Sequence, residues 1–449
     1  MESAASILDG MRAAVPQGRL RLEDDERRAL VELTGRLIAA RPEAYEEFQR
    51  FQAVRERGLT LPMDEVSDWV SGRTVLVTGG TGCIGSLLME QLASLSPGRL
   101  VSLSRGETVA RRQPPDAEYL TADLRDRGRL SELFDRVQPD IVFHLAAQRE
   151  PARAEIEVHR TVTTNVFGTR NVLEECVAHG VQHLVCASTG KALRPYSPDV
   201  YAASKRAAEW LMTRTAARSG LRISAARFTH VVDNSIIADR LDRWCKAGVI
   251  RLHSAEIDFY VQSALESAQL LLSSGLGSRP SVVRMHALRN LDWPVNLLDL
   301  AIGMLVETRS PSPIYIAGYE SGYESEAFGG LYDPRTAGGI SPLINAFEAA
   351  AVVPGGCCET DAFELSPPSE DAEAVSALTE LEQACAATEG SAALRAPFER
   401  LSTALLDTTL RDVPKPVLQR TIELATARGS APNTAHALLL NALRRWASA

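Results

Sequence analysis

The chain has 449 residues, 45% of them hydrophobic and 23% charged, which is enough apolar side chain for two or three packed units and excludes wholesale disorder. Its 48 basic and 57 acidic side chains give a formal net charge of -9, excluding a general nucleic-acid binder, which needs basic surface to neutralise phosphates. Seven cysteines without a CxxC pair, and no clustered histidines, suit neither a disulfide framework nor a zinc site, so no metal is expected.

Glu2, Asp9, Arg12 and Arg19 fall where a secretory leader is apolar, and no run of about 18 apolar residues occurs. A cytoplasmic protein without a membrane partner is expected. Residues 1–70 are charged, with Leu30, Val31, Leu33, Leu37 and Ile38 at helical spacing and Pro16, Pro42 and Pro62 as breaks, which predicts a helical N-terminal extension used for packing or dimerisation. From residue 74 the pattern changes. Strand-like runs at 74–78, 100–104, 141–146, 183–187 and 222–227 alternate with helical patterns such as 84–95 and 163–179. Such alternation predicts an α/β fold over residues 71–330, a Rossmann-type doubly wound parallel sheet with a small substrate-binding part. Its ligand crevice belongs at the carboxyl ends of the strands. After Gly330 the sequence loosens through Pro334, Gly338-Gly339 and the stretch 354–368, where Cys357-Cys358 reads as two reduced thiols. Apolar positions from Leu378 to Leu440 then predict a helical C-terminal subdomain over 331–449, with no chemistry of its own.

The first predicted strand runs into Gly79-Gly80-Thr81-Gly82-Cys83-Ile84-Gly85, which opens a helix. Glycines here allow a tight turn and close backbone approach, and a helix amino terminus offers N–H groups to a pyrophosphate. The second strand ends Ser104-Arg105. A hydroxyl followed by a guanidinium suits a ribose 2'-phosphate better than a free 2'-hydroxyl, favouring NADP(H), with NAD as the alternative. After the third strand, Asp123 is placed to reach the adenine amino group.

Only four lysines occur in the chain, Lys191, Lys205, Lys246 and Lys415, and lysine, unlike arginine, can act as a base. Tyr201 and Lys205 stand four apart on a predicted helix and so share a face. A neighbouring ammonium and the nicotinamide charge would stabilise the Tyr201 phenolate as base for a carbinol proton, with Lys205 holding the ribose. Upstream, Ser188-Thr189-Gly190-Lys191 follows a strand. Its hydroxyls can bond the same substrate oxygen, and Lys191 is a second candidate acid or base.

The glycine loop, His144-Leu145-Ala146-Ala147, Asn165-Val166-Phe167-Gly168-Thr169 and the Tyr201/Lys205 pair together resemble the extended short-chain dehydrogenase/reductase superfamily. Ser188-Thr189-Gly190-Lys191-Ala192 with Pro195, Ala203-Ser204-Lys205-Arg206 and Ala208-Glu209 are similar to its polysaccharide-biosynthesis branch, which holds UDP-N-acetylhexosamine 4,6-dehydratases and related epimerases. Trp293 to Ala301 is a weaker match. The resemblance implies cofactor contacts at Leu124, Ala146, Ala147 and Asn165, and substrate contacts at Gln148 and Arg149. It further implies hydride transfer from a sugar C4, removal of the C5 proton, and then either loss of water from C6 or reprotonation. Thr189, Tyr201 and Lys205 would carry the oxidation and Lys191 would be the C5 base.

The chain departs from that pattern in three respects. Gly190 stands where the branch has an aspartic acid that protonates the departing hydroxyl. Ile257-Asp258-Phe259, and the acids in Gly318-Tyr319-Glu320-Ser321-Gly322-Tyr323-Glu324, stand where cations would clamp a diphosphate. His230 replaces an asparagine and is read as a substrate contact or a core histidine; a crevice between Lys191, His230 and Glu320 is expected. The resulting expectation is a homo-oligomeric NAD(P)-dependent epimerase or dehydratase acting on a small sugar-like substrate in glycan or specialised-metabolite assembly. A simple carbinol dehydrogenase or ketoreductase and a non-catalytic cofactor-binding scaffold are the alternatives.

Overall fold

The structure, a computed structural model, describes residues 2–449 apart from 108, 111, 235, 320–327, 329, 332–338 and 428–432. The chain folds into two compact units. The first, here the sheet unit, comprises Leu59–Phe228, Glu266–Asn290 and the described part of Glu326–Ala449; the second comprises the described parts of Met1–Gly58, Thr229–Leu265 and Leu291–Ser325.

The sheet unit is built on nine strands: β1 (Thr74–Thr78), β2 (Arg99–Ser104), β3 (Glu118–Thr121), β4 (Ile141–His144), β5 (His183–Thr189), β6 (Arg222–Phe228), β7 (Val283–Leu288), β8 (Val353–Pro354) and β9 (Thr360–Leu365). Their order is β8-β9-β7-β6-β5-β4-β1-β2-β3. From β3 through β7 every pairing is parallel. Val75, Leu76 and Val77 of β1 are buried, as a continuous apolar run covered on both faces of a parallel sheet must be. Strand order reverses between β1 and β4, which puts the switch-point crevice at their carboxyl ends.

Beyond β7 the sheet departs from the expected parallel pattern. β9 pairs antiparallel with β7, and β8 antiparallel with β9, in a region that reads as loop from its sequence. Two acids disguise the strand. Asp361 is buried but accepts from Arg289 Nε at 2.7 Å and from the Ser341 backbone N–H at 2.8 Å, while Glu364 pairs with Arg279. Tertiary partners thus satisfy side chains that local propensity assigns to a turn. The helices Ala372–Ala387, Ser391–Arg411, Lys415–Ala427 and Thr434–Ser448 follow these strands and belong to the sheet unit.

In the second unit the N-terminal helices Ala4–Ala14, Asp24–Ala40 and Ala44–Ala53 share one core with a parallel pair, Ile250–Leu252 and Ile314–Ile316, and with the helix Leu297–Thr308. Ile7, Met11, Leu37, Phe48 and Phe51 are buried against Ile250, Leu298, Ile302 and Tyr315. The Tyr315 hydroxyl donates to Pro16 O at 2.7 Å. The first 58 residues are therefore part of a packed unit rather than a separable extension. Gly303 lets two of its helices meet: a Cβ there would lie 2.2 Å from Phe48 Cβ and 3.1 Å from Ala44 O. Gly303→Ala is expected to destabilise this unit by about 1–3 kcal/mol, read as an earlier thermal transition; an unchanged melting curve would refute that contact.

Candidate active site

All four expected catalytic residues lie in the sheet unit, at and after the carboxyl end of the central strand β5. At the end of β1, Gly79 has φ +76°, and a Cβ there would sit 2.8 Å from the Ala146 backbone nitrogen after β4. At Gly85 a Cβ would lie 2.2 Å from Gly79 O. Both positions therefore require glycine. Gly82 caps the helix α1 (Cys83–Ala93), whose first turn has no side-chain cap and no acid. Thr81, Cys83 and Ile84 are partly exposed around this amino terminus. Such a cradle fits a dinucleotide pyrophosphate.

His144 braces the cradle from β4. Thr169 donates its hydroxyl hydrogen to Asn165 O at 2.8 Å, so its oxygen accepts from His144 Nε2 at 3.0 Å, and Thr78 Oγ1 donates to His144 Nδ1 at 2.8 Å. Burial first, and the Lys205 charge second, push the His144 pKa down to about 3, so the ring is neutral. Asn165 also acts through the scaffold. Its side chain accepts from Gln148 N at 2.7 Å and donates to Gln148 O and to Ser204 Oγ, both at 3.0 Å, joining the loop after β4 to the helix that carries Tyr201. Around it the expected helix 163–179 opens into a π-turn, Thr163–Gly168, of the kind often found at functional sites.

The other expected cofactor contacts are partly committed within the protein. Ser104 Oγ accepts from Gly106 N at 3.3 Å, and Arg105 pairs with Glu107 at 2.9 Å. Burial opposes the Asp123 charge, but hydrogen bonds from Arg125 hold its carboxyl below the usual range. Leu124 is buried and its carbonyl accepts from Asn171 at 2.8 Å, while Ala146 and Ala147 are partly exposed beside Gly79.

The groups expected to carry the chemistry converge where β5 ends and α2 (Val200–Ser219) begins. Burial raises the Tyr201 pKa; a hydrogen bond from Thr189 and the charge of Arg149 pull it back. The cation acting on the phenol is thus Arg149, from the loop after β4. Lys205 is buried and its Nζ donates to Ala187 O at 2.8 Å. Thr189 also caps the short turn Gly190–Leu193, accepting from Lys191 N at 3.3 Å. Burial lowers the Lys191 pKa, and Asp199, whose carboxylate is 3.8 Å from Lys191 Nζ, opposes it. Asp199 is itself buried and its pKa raised by burial. Arg194, pushed down to about 10 by burial, and Glu155 complete this charged group.

Sequence reading missed Arg149 as the cation on the phenol, and missed Asp199 and Arg194 altogether, because only the fold brings them to Tyr201 and Lys191. Gln148 lies beside Asn165 as described. His230 belongs to the second unit, where it is exposed and packs on Phe259 with ring centroids 4.6 Å apart, so it is not a core histidine. Asp258 accepts from Asn296 at 2.9 Å. Glu320 and the other acids of 320–324 lie outside the described residues. All seven cysteines are free thiols, and burial raises the Cys357 pKa. Among the described residues no group of His, Cys, Asp or Glu could hold a metal ion, and no helix is long and apolar enough to cross a membrane.

The sequence pattern of the polysaccharide biosynthesis protein family matches residues 75–322, more than half of the chain. The chain belongs to this family. A probable polysaccharide biosynthesis protein EpsC of Bacillus subtilis is 28% identical over 279 residues, 59% of this chain and 46% of that protein. An inverting UDP-N-acetylglucosamine 4,6-dehydratase of Campylobacter jejuni is 30% identical over 171 residues, 36% of this chain and 50% of that enzyme. The match thus spans about half the length of these relatives. Among solved structures, Pen from Bacillus thuringiensis superposes with a TM-score of 0.55 at 22% identity, covering 67% of this chain and 89% of that one. That likeness supports the Rossmann-type fold, and the family membership agrees with the resemblance carried by the Tyr201/Lys205 and Thr189/Lys191 motifs.

Proposed function

We propose that the chain is an NAD(P)-dependent enzyme that oxidises a carbinol of a nucleotide-sugar or sugar-like substrate and epimerises or dehydrates the product in glycan or specialised-metabolite biosynthesis. The observation that carries this reading is the hydrogen bond from Thr189 to the Tyr201 phenol, formed at the carboxyl ends of the parallel strands, where the glycine cradle follows β1.

When bound, the oxidised nicotinamide supplies a hydride acceptor. Tyr201 takes the carbinol proton, helped by the Thr189 hydrogen bond and the Arg149 charge, which lower its pKa against burial. Lys205 is fixed by Ala187 O with two further N–H donors for a ribose. A carbonyl acidifies the proton on its neighbouring carbon, and Lys191, whose pKa burial lowers, is suited to remove it in its neutral form. Gly190 carries no acid to protonate a leaving hydroxyl, which favours proton exchange over loss of water.

The test is turnover of sugar nucleotides, UDP-N-acetylglucosamine included, in deuterated water. Deuterium at the carbon beside the carbinol, with no net change in nicotinamide absorbance, is the expected result. Stoichiometric reduction of the cofactor without label would support a simple carbinol dehydrogenase instead. Asp199→Asn removes a carboxylate that raises the Lys191 pKa, so the acid limb of the kcat/KM profile is expected to move to lower pH; an unmoved limb would separate Asp199 from the base.

Ser104 and Arg105 support NADP(H) as the preferred cofactor, with a 2'-phosphate competing against Glu107 for the guanidinium. Glu107→Gln is then expected to tighten NADP(H) relative to NAD(H) by about fivefold, the worth of an exposed ion pair, as measured by calorimetry. Equal affinities in both proteins would remove Arg105 from the cofactor site.

A further inference from the structure

The space beside Gly190 is filled from far along the chain. A Cβ at position 190 would lie 2.7 Å from Leu343 Cδ2, well inside contact distance. Leu343 is buried and belongs to the sheet unit, in a segment beyond the residues matched by the family. It is also clamped. Its carbonyl accepts from Arg227 Nη1 at 3.2 Å, its N–H donates to Ser341 Oγ at 3.1 Å, and Ser341 N–H donates to Asp361 at 2.8 Å. Two residues on, Asn345 Nδ2 donates to Leu193 O at 2.7 Å, on the same turn that carries Gly190 and Lys191. These bonds hold the Leu343 backbone, so a side chain at position 190 can be admitted only by turning the leucine methyls aside within a packed interior.

We propose that Leu343 is a specificity-determining residue that keeps the wall between Thr189 and Lys191 apolar and without a proton donor, so that the site exchanges the proton beside its carbonyl but does not expel a hydroxyl from the next carbon. This rests on the oxidation and proton abstraction proposed above. The chemistry is that of β-elimination. The electron pair left by the abstracted proton forms a carbon–carbon double bond as the C–O bond breaks, and hydroxide leaves readily only if it takes up a proton and departs as water. A leucine methyl in van der Waals reach of Gly190 gives no such proton and no room for a carboxyl. The stretch after Gly330, without chemistry when read from sequence, thereby acts on the reaction outcome.

The experiment compares the full-length wild type with Leu343→Ala, Gly190→Asp and the double variant. Each is given NADP+ and UDP-N-acetylglucosamine in deuterated water, with melting temperature and cofactor affinity measured alongside. Gly190→Asp alone is expected to melt well below wild type, and Leu343→Ala in the same chain to recover at least half of that loss. Wild type should incorporate deuterium without losing water, whereas the double variant should yield the dehydrated sugar. Overturning results are Gly190→Asp melting like wild type, wild type losing water by itself, for instance with Asp199 as donor, or a double variant that exchanges deuterium yet never dehydrates. If wild type does not label this sugar, the proposed function fails for it, and the melting temperatures alone decide whether Leu343 excludes a side chain at position 190.

Discussion

Replacing Tyr201 by phenylalanine is expected to lower kcat/KM by about 10²–10⁴-fold, the range for removing a positioned general base, while leaving the fold and dinucleotide affinity intact. The hydroxyl bonds Thr189 at the head of α2, and the neighbouring Ala202, Ala203 and Lys205 keep their burial without it. Calorimetry with NADP(H) and a melting curve separate a chemical effect from a structural one. A variant that retains wild-type turnover refutes the assignment of the phenol as base. Arg149→Gln provides a graded companion. Its charge lowers the Tyr201 pKa, so losing it raises that pKa further above the usual tyrosine range, and the alkaline-rising limb of the rate profile moves to higher pH. A structural role for Arg149 would reduce activity at every pH without moving that limb.

The residues legible in the sequence were those whose own local geometry demands them. Gly79 and Gly85 announce themselves because any Cβ there would strike backbone, and the four-residue spacing of Tyr201 and Lys205 survives in α2. The parallel strands β1, β2, β4, β5 and β6 were legible for a similar reason, each being a buried apolar run between turns. What escaped was non-local. β9 carries acids that distant arginines and a backbone N–H neutralise. Asn165, read as a cofactor contact, spends its amide on Gln148 and Ser204. The cation on the phenol is Arg149 although Lys205 is its neighbour on the helix, because Lys205 turns to Ala187 O. A lysine at helical spacing predicts proximity in sequence, and only the packed site decides which charge the oxygen feels.

The same non-local logic reaches its extreme at Arg227, at the end of β6, which is fully buried and uses all five of its N–H donors. Nε and Nη2 donate to Glu209 at 3.0 and 2.9 Å, Nη1 and Nη2 to Glu348 at 2.7 and 2.9 Å, and Nη1 also to Leu343 O at 3.2 Å. Glu209 further accepts from Ser188 Oγ at 2.6 Å, beside Thr189. Burial opposes each charge, and the opposite charges outweigh it, holding Glu209 below and Arg227 above their ordinary values. Arg227→Met is therefore expected to destabilise the sheet unit by about 3–5 kcal/mol or more, because two desolvated carboxylates are left without their shared cation. The pH dependence discriminates this cause from a packing defect. Without the guanidinium, burial is opposed only by Arg206 and Ser188, and the folded-state pKa of Glu209 is expected to rise above the unfolded value near 4.3. The penalty is then full above the raised folded pKa and shrinks as pH falls towards the unfolded one. Chemical unfolding at pH 8 and pH 5 should show the variant much closer to wild type at the lower pH. Adding Glu348→Gln to Arg227→Met should recover part of the loss at pH 8, and a penalty equal at both pH values would show that Arg227 contributes shape rather than charge.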